Sequence, residues 1–293
     1  MNGILIIDKP ENFTSHDVVA RLRRILKTKK IGHTGTLDPF ATGVLVMLVG
    51  KATRLAQFLD KDEKSYETKI HFGFETDTGD KTGTPKTESV AADIEIEDIE
   101  TVLPKFRGEI EQIPPMYSAK KVKGKKLYEL ARKGVEIGRK PVKLNISKLE
   151  VADYSKFAEN ELIIKVACSA GTYIRTLAED IGKSVGCPCH LTELRRIKAG
   201  KFDISQSISI EELEKIVENS EIEDVLISMN NAVLHLPKKI VNQDELKRVQ
   251  NGMRISADFT DEPNVRIVDE NNNLIAIGHY LKKERQIQPR IVF

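Results

Sequence analysis

Residues 32–43 restrict the possible folds more than any other part of this sequence. They read Gly-His-Thr-Gly-Thr-Leu-Asp-Pro-Phe-Ala-Thr-Gly, with three glycines, three threonines and one proline. This composition predicts a tight, irregular loop, because glycine adopts backbone conformations that other residues avoid and lets a ligand approach closely. The loop lies between a helical pattern and a continuous apolar run, so buried elements on both sides should hold it in place.

The spacing of apolar residues defines these flanking elements. Ser15 is expected to cap the helix. The apolar face of that helix carries Val18, Val19, Leu22, Ile25 and Leu26. Residues 44–49 are a continuous apolar run between Gly43 and Gly50, which predicts a buried strand.

Within the loop, Asp38 is open to two interpretations. Pro39 follows it, which moves Asp38 out of the helical region of backbone space and fixes the next φ angle. Asp38 could therefore cap a short helix with Pro39 at its first position, as Asp-Pro pairs often do. It could instead be a reactive carboxylate in a ligand-binding loop. A phosphate-binding loop is less favoured, because no Gly-Lys-Ser/Thr sequence ends the segment.

The rest of the chain mixes strands and helices. Residues 4–7 form a short apolar strand, and alternating patterns predict half-buried strands at residues 66–72 and 162–168. A helix over residues 174–185 should end at Gly186. Ser209 and Glu212 provide a capping box for another helix. Because no regular βαβ repeat is present, the predicted fold class is α+β.

The pattern changes after about residue 230. Short strands are predicted at residues 265–268, 274–280 and 291–293, with an Asn-Asn-Asn turn at residues 271–273. We therefore expect two domains, one over residues 1–230 and a small β-rich domain over residues 231–293.

Composition excludes several classes of protein. The chain has 293 residues, of which 40% are hydrophobic and 31% charged, as in ordinary globular proteins. The sequence contains no long apolar run, and its N-terminus lacks the features of a signal peptide. We therefore expect a cytoplasmic protein with no membrane association.

The net charge of +2 conceals two oppositely charged segments. Residues 120–143 contain ten Lys or Arg and two acids, whereas residues 211–224 contain seven acids and one Lys. A basic run of this kind is either a solvated face or a surface for nucleic acid.

The Cys187-Pro188-Cys189-His190 sequence does not predict a metal site. Paired zinc ligands usually have two residues between the cysteines and need a second ligand pair, and Cys168 is the only other cysteine. An odd count of three also argues against a disulfide framework.

The loop at residues 32–45 resembles the signature loop of the TruB-type pseudouridine synthases, with Phe40 where Leu is usual. Other segments are similar to the same family, although Pro188-Cys189 stands where a Gly-Ala pair is common. These segments are residues 3–10, 64–66, 106–108, 113–119, 171–177 and 194–196. The resemblance implies a mixed-sheet catalytic domain, a basic insertion at about residues 106–143 and a PUA-like C-terminal domain.

The resemblance also assigns an active site. It implies that Asp38, Tyr66 and Arg175 are catalytic, and that His33, Tyr173 and Leu194 contact the substrate. An Asp carboxyl is ionised at neutral pH, and the Arg175 guanidinium is expected to lower its pKa further. The family isomerises uridine in RNA without adding or removing atoms, so no cofactor or metal is expected.

For the basic run, the resemblance implies contact with the T arm of tRNA. Its RNA-binding residues would be Lys120, Lys121, Lys123, Lys125, Lys126 and Arg132. The implied reaction is conversion of the T-loop uridine (tRNA position 55) to pseudouridine after the base is flipped out. We expect a monomer that needs no guide RNA or obligate protein partner. The alternative is a non-catalytic RNA-binding or tRNA-folding protein on the same scaffold.

Overall fold

A computed structural model describes residues 1–118, 120–122, 124–155, 157–259 and 263–293. Lys123, one of the predicted RNA-binding lysines, lies outside these ranges, and the Lys126 side chain is also outside the description. In the part of the chain that the structure describes, every helix is too short or too polar to cross a bilayer.

The strands belong to two sheets and one small hairpin. They are β1 (Gly3–Lys9), β2 (Ile31–Thr34), β3 (Thr42–Val49), β4 (Lys64–Phe72), β5 (Gly108–Gln112), β6 (Lys121–Val122), β7 (Lys125–Lys126), β8 (Val142–Asp153), β9 (Glu161–Cys168), β10 (Cys189–Ala199), β11 (Phe202–Asp203), β12 (Lys238–Ile240), β13 (Ile255–Ser256), β14 (Asn264–Val268), β15 (Leu274–Leu281) and β16 (Gln286–Val292).

The helices pack mainly against the larger sheet. They are α1 (Ser15–Ile25), α2 (Ile96–Val102), α3 (Leu127–Ala131), α4 (Ile174–Val185), α5 (Ile210–Glu218), α6 (Ile222–Val225), α7 (Met229–Ala232) and α8 (Gln243–Gln250). Short 3-10 helices occur at Gly50–Phe58, Leu103–Phe106, Phe157–Glu159 and Ile204–Gln206.

The larger sheet is mixed, which confirms the predicted α+β class. Its strands follow the order β1-β3-β10-β4-β9-β8-β5, with β2 added to β3 and β11 added to β10. The pairing of β3 with β10 is parallel, whereas the other pairs are antiparallel. Strand β10 therefore joins the loop that precedes β3 to the strand that carries Tyr66.

Strand β3 is apolar throughout because both of its faces are covered. Val44, Val46 and Leu48 pack in one hydrophobic cluster with residues of the smaller sheet. Leu45 and Met47 face the opposite way and pack against α1 and α5. The continuous apolar run thus reflects burial on both sides of the sheet, as predicted.

Strands β4 and β9 alternate between buried and partly exposed residues, as their sequences predict. Helix α4 covers their buried face with Ile174, Leu177 and Ile181. It ends at Gly186, whose φ of 78° is the left-handed conformation expected of a helix-ending glycine.

The smaller sheet has the order β12-β14-β15-β16-β13. Its predicted turn is present, with Asn272 at a φ of 64°. The last strand begins at Gln286, earlier than predicted, because the polar residues Gln286 and Gln288 alternate with buried Ile287 and Pro289. Phe293 and Val268 join the hydrophobic cluster of the larger sheet, so the two sheets share a core.

The prediction that Ser15 caps α1 is wrong. Thr14 is the capping residue, and it forms a reciprocal capping box with Asp17. Ser15 is instead buried at the start of the helix, where its Oγ accepts a hydrogen bond from the Leu37 amide at 2.9 Å. The hydroxyl therefore ties the helix to the loop that contains Asp38.

Gly43 provides a test of how closely β3 approaches β10. Its φ is 99°, and an added Cβ would lie 2.2 Å from the Arg196 carbonyl oxygen. Gly108 also has a positive φ, 81°, but an added Cβ there meets nothing within 4 Å. We predict that Gly108→Ala costs roughly 1–2 kcal/mol of folding free energy. Gly43→Ala should cost about 1–3 kcal/mol more because of the contact. Equal losses in urea denaturation would contradict the close packing.

Candidate active site

The loop after β2 ends in a turn at Asp38, and no helix begins there. The Ala41 amide donates to the Asp38 carbonyl at 3.1 Å, with Pro39 and Phe40 at the centre of the turn. Proline at this position of a turn presets the required φ angle. The helix-cap interpretation of Asp38 therefore does not hold, and its carboxylate is free to point elsewhere.

Three groups hold the backbone on both sides of Asp38. The Ser15 hydroxyl bonds to the amide and carbonyl of Leu37, at 2.9 and 3.2 Å. On the other side, the Pro39 carbonyl accepts from the Asn12 amide at 2.8 Å and from Lys9 Nζ at 3.2 Å. The loop thus presents Asp38 from a fixed backbone.

Lys9 is a residue of this site that the sequence analysis did not identify. Its side chain is fully buried, and Nζ also donates to the carbonyls of Pro10 and Phe13. Burial lowers the pKa of the Lys9 ammonium to about 8, although the Asp38 carboxylate opposes this change. Its sequence signals are its position at the end of a buried strand, directly before a proline, and its place in residues 3–10, which resemble the TruB-type family.

Arg175 forms the centre of the site. Its Nε lies 2.9 Å from Asp38 Oδ2, and the side chain is only 4% exposed. Nη1 donates to the Thr78 carbonyl at 2.6 Å, and Nη2 donates to the Tyr117 carbonyl at 2.8 Å. The ion pair expected between Arg175 and Asp38 is therefore present, supported by two backbone acceptors from distant segments.

Asp80 is a second carboxylate near Arg175 that the sequence analysis missed. Its Oδ2 lies 3.7 Å from Arg175 Nη1, and the residue is buried. The hydroxyls of Thr78 and Thr82 and the Thr82 amide bond to its Oδ1. The sequence feature that could have indicated a structured loop around Asp80 is the segment at residues 76–83. It reads Thr-Asp-Thr-Gly-Asp-Lys-Thr-Gly and is dense in turn-forming residues.

The pKa of Asp38 differs from the expectation. Burial raises the pKa of its carboxyl above the ordinary value, and Asp80 adds to the rise, whereas Arg175 and Lys9 oppose it. The expected net lowering by Arg175 is therefore wrong. Although 34% of the side-chain surface remains accessible, Asp38 lines a cavity, and desolvation outweighs the ion pair.

That cavity has a volume of about 250 Å³ and brings most of the predicted site together. Its lining includes Asp38, Tyr66, Tyr173, Arg175 and Leu194. Tyr66 and Leu194 are buried, and burial raises the pKa of the Tyr66 phenol. Acidic, cationic, aromatic and aliphatic groups thus surround one small space that could hold a planar ring.

His33 is not among the residues that line the cavity. It lies on β2 opposite Met47, and its Nδ1 is buried without a hydrogen-bond partner among the described residues. Burial lowers the pKa of its imidazole, and the Arg196 charge acts in the same direction.

The basic run begins beside the active site. Tyr117, whose carbonyl binds Arg175, precedes the hairpin formed by β6 and β7. The Gln112 amide group exchanges two hydrogen bonds with the Tyr173 backbone. Lys121, Lys125 and Arg132 are exposed, whereas Lys120 is partly buried. The Arg132 guanidinium lies 5.4 Å from the centre of the Tyr128 ring.

The three cysteines have structural surroundings. All are buried, and none forms a disulfide. Burial raises the pKa values of the Cys187 and Cys189 thiols, and Cys189 Sγ lies 3.1 Å from the Ala178 carbonyl oxygen in α4. Among the described residues, no group of three or more His, Cys, Asp or Glu is arranged to hold a metal ion.

The raised pKa of Asp38 predicts a pH-dependent effect on stability. Because its pKa is higher in the folded protein than in the unfolded chain, ionisation of Asp38 opposes folding at neutral pH. This cost is full above the folded-state pKa and disappears below the unfolded value of about 3.9. Asp38→Asn should therefore have a Tm at or above that of the unmodified protein at neutral pH, with a difference that shrinks on acidification.

Thermal unfolding, monitored by circular dichroism over a range of pH, would measure this difference. Asp93→Asn is a matched control, because Asp93 is exposed. A lower Tm for Asp38→Asn at neutral pH, relative to this control, would mean that the ion pair with Arg175 outweighs burial.

Comparison with known proteins relates the whole chain to one family. Residues 23–174 match the TruB family pseudouridylate synthase N-terminal domain, and residues 175–234 match the tRNA pseudouridylate synthase B C-terminal domain. The tRNA pseudouridine synthase B of Solibacter usitatus is 41% identical over 282 residues, 95% of each chain. That of Bacillus cytotoxicus is 41% identical over 295 residues, 99% of this chain and 96% of the relative.

Solved structures agree with these matches. A Cbf5-Nop10-Gar1 complex contains a chain with a TM-score of 0.75 and 27% identity, and the match covers 99% of this chain and 84% of that chain. An H/ACA RNP bound to a substrate RNA containing 2'-deoxyuridine gives a TM-score of 0.74 and 26% identity, with the same coverage. The chain belongs to the TruB family of pseudouridylate synthases.

Proposed function

We propose that this protein is a tRNA pseudouridine synthase that isomerises the T-loop uridine at position 55. The observation that carries the proposal is the Asp38–Arg175 ion pair at 2.9 Å in a cavity also lined by Tyr66 and Leu194. Full-length similarity to proteins named tRNA pseudouridine synthase B supports the choice of tRNA as substrate.

The reaction breaks the bond between the ribose and a uracil nitrogen, turns the base and rejoins it through a ring carbon. That carbon loses its proton, and the released nitrogen gains one, so the composition is conserved. Asp38 supplies a carboxylate whose backbone is held on both sides, and it acts as a nucleophile or as a base. Arg175 orients the carboxylate and favours its charged form against the effect of burial. The composition of the substrate does not change, so the proposed chemistry uses no cofactor or metal.

The remaining cavity residues hold the base. A uridine in a folded loop must leave its stack, at a cost of a few kcal/mol. Tyr66 offsets part of this cost by stacking on the uracil, while Tyr173 and Leu194 enclose the ring. His33 lies outside the cavity and is proposed to contact the RNA around the flipped nucleotide.

The basic insertion at about residues 106–143, which contains the basic run (residues 120–143), is proposed to grip the T arm. Lys and Arg neutralise phosphates without reading sequence, which suits a clamp on a folded loop. Lys121, Lys125 and Arg132 are exposed and available for this role. Residues 1–230 would form the catalytic domain, and the smaller sheet within residues 231–293 would be a PUA-like RNA-binding domain.

The proposed enzyme is a cytoplasmic monomer that acts without guide RNA or a protein partner. The structural relatives include a chain of a Cbf5-Nop10-Gar1 complex and a chain of an H/ACA RNP bound to a substrate RNA. Here the basic run provides an RNA-gripping element within the chain itself. A protein that only binds RNA would not need the Asp38 carboxylate, since desolvating a carboxylate near phosphates opposes binding.

The first test is the Asp38→Asn variant. The substitution keeps the size of the side chain but removes its charge, so the reacting group is lost while the cavity is preserved. We predict that turnover of an unmodified tRNA transcript falls at least about a thousandfold, as expected when a nucleophile or base is removed. The Kd for tRNA should change by less than severalfold.

Pseudouridine mapping would follow the product, and filter binding would give the Kd. Asp93→Asn should react like the unmodified protein, because Asp93 is exposed and outside the cavity. Near-normal turnover in Asp38→Asn would reject the catalytic role. Tight binding with no turnover in the unmodified protein would favour the non-catalytic alternative.

The second test concerns the basic run. Lys120, Lys121, Lys123, Lys125 and Lys126 would be replaced together by Gln. Each lost phosphate contact should reduce the slope of log K against log salt by roughly 0.7–0.9. Saturating tRNA should restore part of the turnover, because the catalytic residues remain.

A control with equal charge loss would replace Lys51, Lys105, Lys148, Lys183 and Lys215, which are exposed and outside the basic run. Equal effects of the two variants would show that only net charge matters. Normal binding and an unchanged salt slope in the first variant would make the basic run a solvated face.

A further inference from the structure

Arg196 is a buried cation beside the cavity that has no role in the proposed reaction. Its residue exposure is 1%, and it is the largest fully buried side chain among the described residues. It lies on β10, paired with Gly43 of β3 on one side and with Tyr66 of β4 on the other. Arg196 and Tyr66 both line the cavity.

Backbone groups of β3 and of the catalytic loop, which is the loop between β2 and β3 that contains Asp38, hold the Arg196 guanidinium. Its Nε donates to the Val44 carbonyl at 2.7 Å, and Nη2 donates to the Gly35 carbonyl at 3.0 Å. In the described part of the chain, no carboxylate forms an ion pair with it within 4.0 Å. Backbone carbonyls therefore accept some of the guanidinium hydrogen bonds, but no described carboxylate neutralises its charge beside the cavity.

The Tyr66 side chain lies beside this guanidinium, because Tyr66 and Arg196 are paired across β4 and β10 and both line the cavity. Interaction with the guanidinium also lowers the pKa of the phenol. A guanidinium has only hydrogen-bond donors, so the phenol oxygen must accept. The single hydroxyl proton then cannot point toward Arg196 and is directed elsewhere. Because Tyr66 lines the cavity, this proton is available to a group bound there.

We propose that Arg196 is a positioning residue for Tyr66, which holds the phenol oxygen as an acceptor and directs the hydroxyl proton toward the bound base. The inference rests on the proposed function. Arg196 cannot itself be a phosphate contact, since its side chain is buried and its Nε and Nη2 are bound to backbone. The Arg196 charge also lowers the pKa of the Tyr66 phenol, against the rise that burial causes. This effect agrees with a phenol oxygen that accepts from the guanidinium.

A double-mutant cycle tests the inference, using Arg196→Met, Tyr66→Phe and the combined variant with unmodified tRNA transcript. Arg196→Met should lower kcat by about tenfold to a hundredfold, within the range of acid–base contributions, and leave KM within threefold. In the Tyr66→Phe background, the same change should lower kcat by less than twofold, because no hydroxyl remains to be directed. Arg196→Lys should recover part of kcat, since an ammonium is also a donor.

The control is Arg195→Met. Arg195 is on the same strand, but it is partly exposed and pairs with Asp8 through two hydrogen bonds. It should retain the kcat of the unmodified protein, and the Tm of each variant would separate loss of folding from loss of function. If Arg196→Met does not fold, Arg196→Lys with and without Tyr66→Phe completes the cycle.

Independent, multiplying effects of the two changes on kcat would overturn the inference, as would full activity in Arg196→Met. A loss that appears only in KM would also overturn it. Absence of turnover in the unmodified protein would instead reject the proposed function, so the two failures are distinguishable.

Discussion

The arrangement of the site depends on one buried guanidinium. Arg175 bonds to Asp38 and to the Thr78 and Tyr117 carbonyls, and it lies beside Asp80. Burying a cation is costly unless its donors are bonded, so these groups together hold Arg175 in this position. The catalytic loop, the turn at residues 76–83 and the start of the basic run are therefore fixed relative to α4 by a single side chain.

This arrangement physically connects RNA binding to the reacting group. Tyr117 leads directly into the basic run, and Gln112, which lies earlier in the same approach, bonds to the backbone of Tyr173, which immediately precedes α4. Movement of the basic run upon binding RNA would shift the Tyr117 carbonyl, one of the acceptors that orients Arg175. The position of the guanidinium would then change, and with it the orientation of Asp38. Substrate grip and carboxylate geometry are thus not independent in this fold.

Local patterns in the sequence predicted the elements well, but they could not predict which elements meet. Alternation defined β4 and β9 because one face of each is buried. The parallel pairing of β3 with β10 joins residues about 150 positions apart, and no local pattern encodes it. For this reason Asp80 and Lys9 were missed, since only tertiary structure places them beside Asp38. The family resemblance found Asp38, Tyr66 and Arg175, but it could not predict that burial outweighs the ion pair at Asp38.

The balance of buried charge around the cavity also bears on the proposed chemistry. Lys9, Lys64, Arg175 and Arg196 supply four buried cationic groups, whereas Asp38, Asp60 and Asp80 supply three carboxylates. Lys9, with a pKa of about 8, is mostly protonated at neutral pH. The site therefore carries a net positive charge when Asp38 is ionised.

Fixed positive charge stabilises negative charge that develops during the reaction, without the cost of reorienting solvent. As the bond between ribose and uracil breaks, its electrons move onto the base, which is the group that Tyr66 and Leu194 enclose. The cations that favour the ionised form of buried Asp38 thus also favour departure of an electron-rich base.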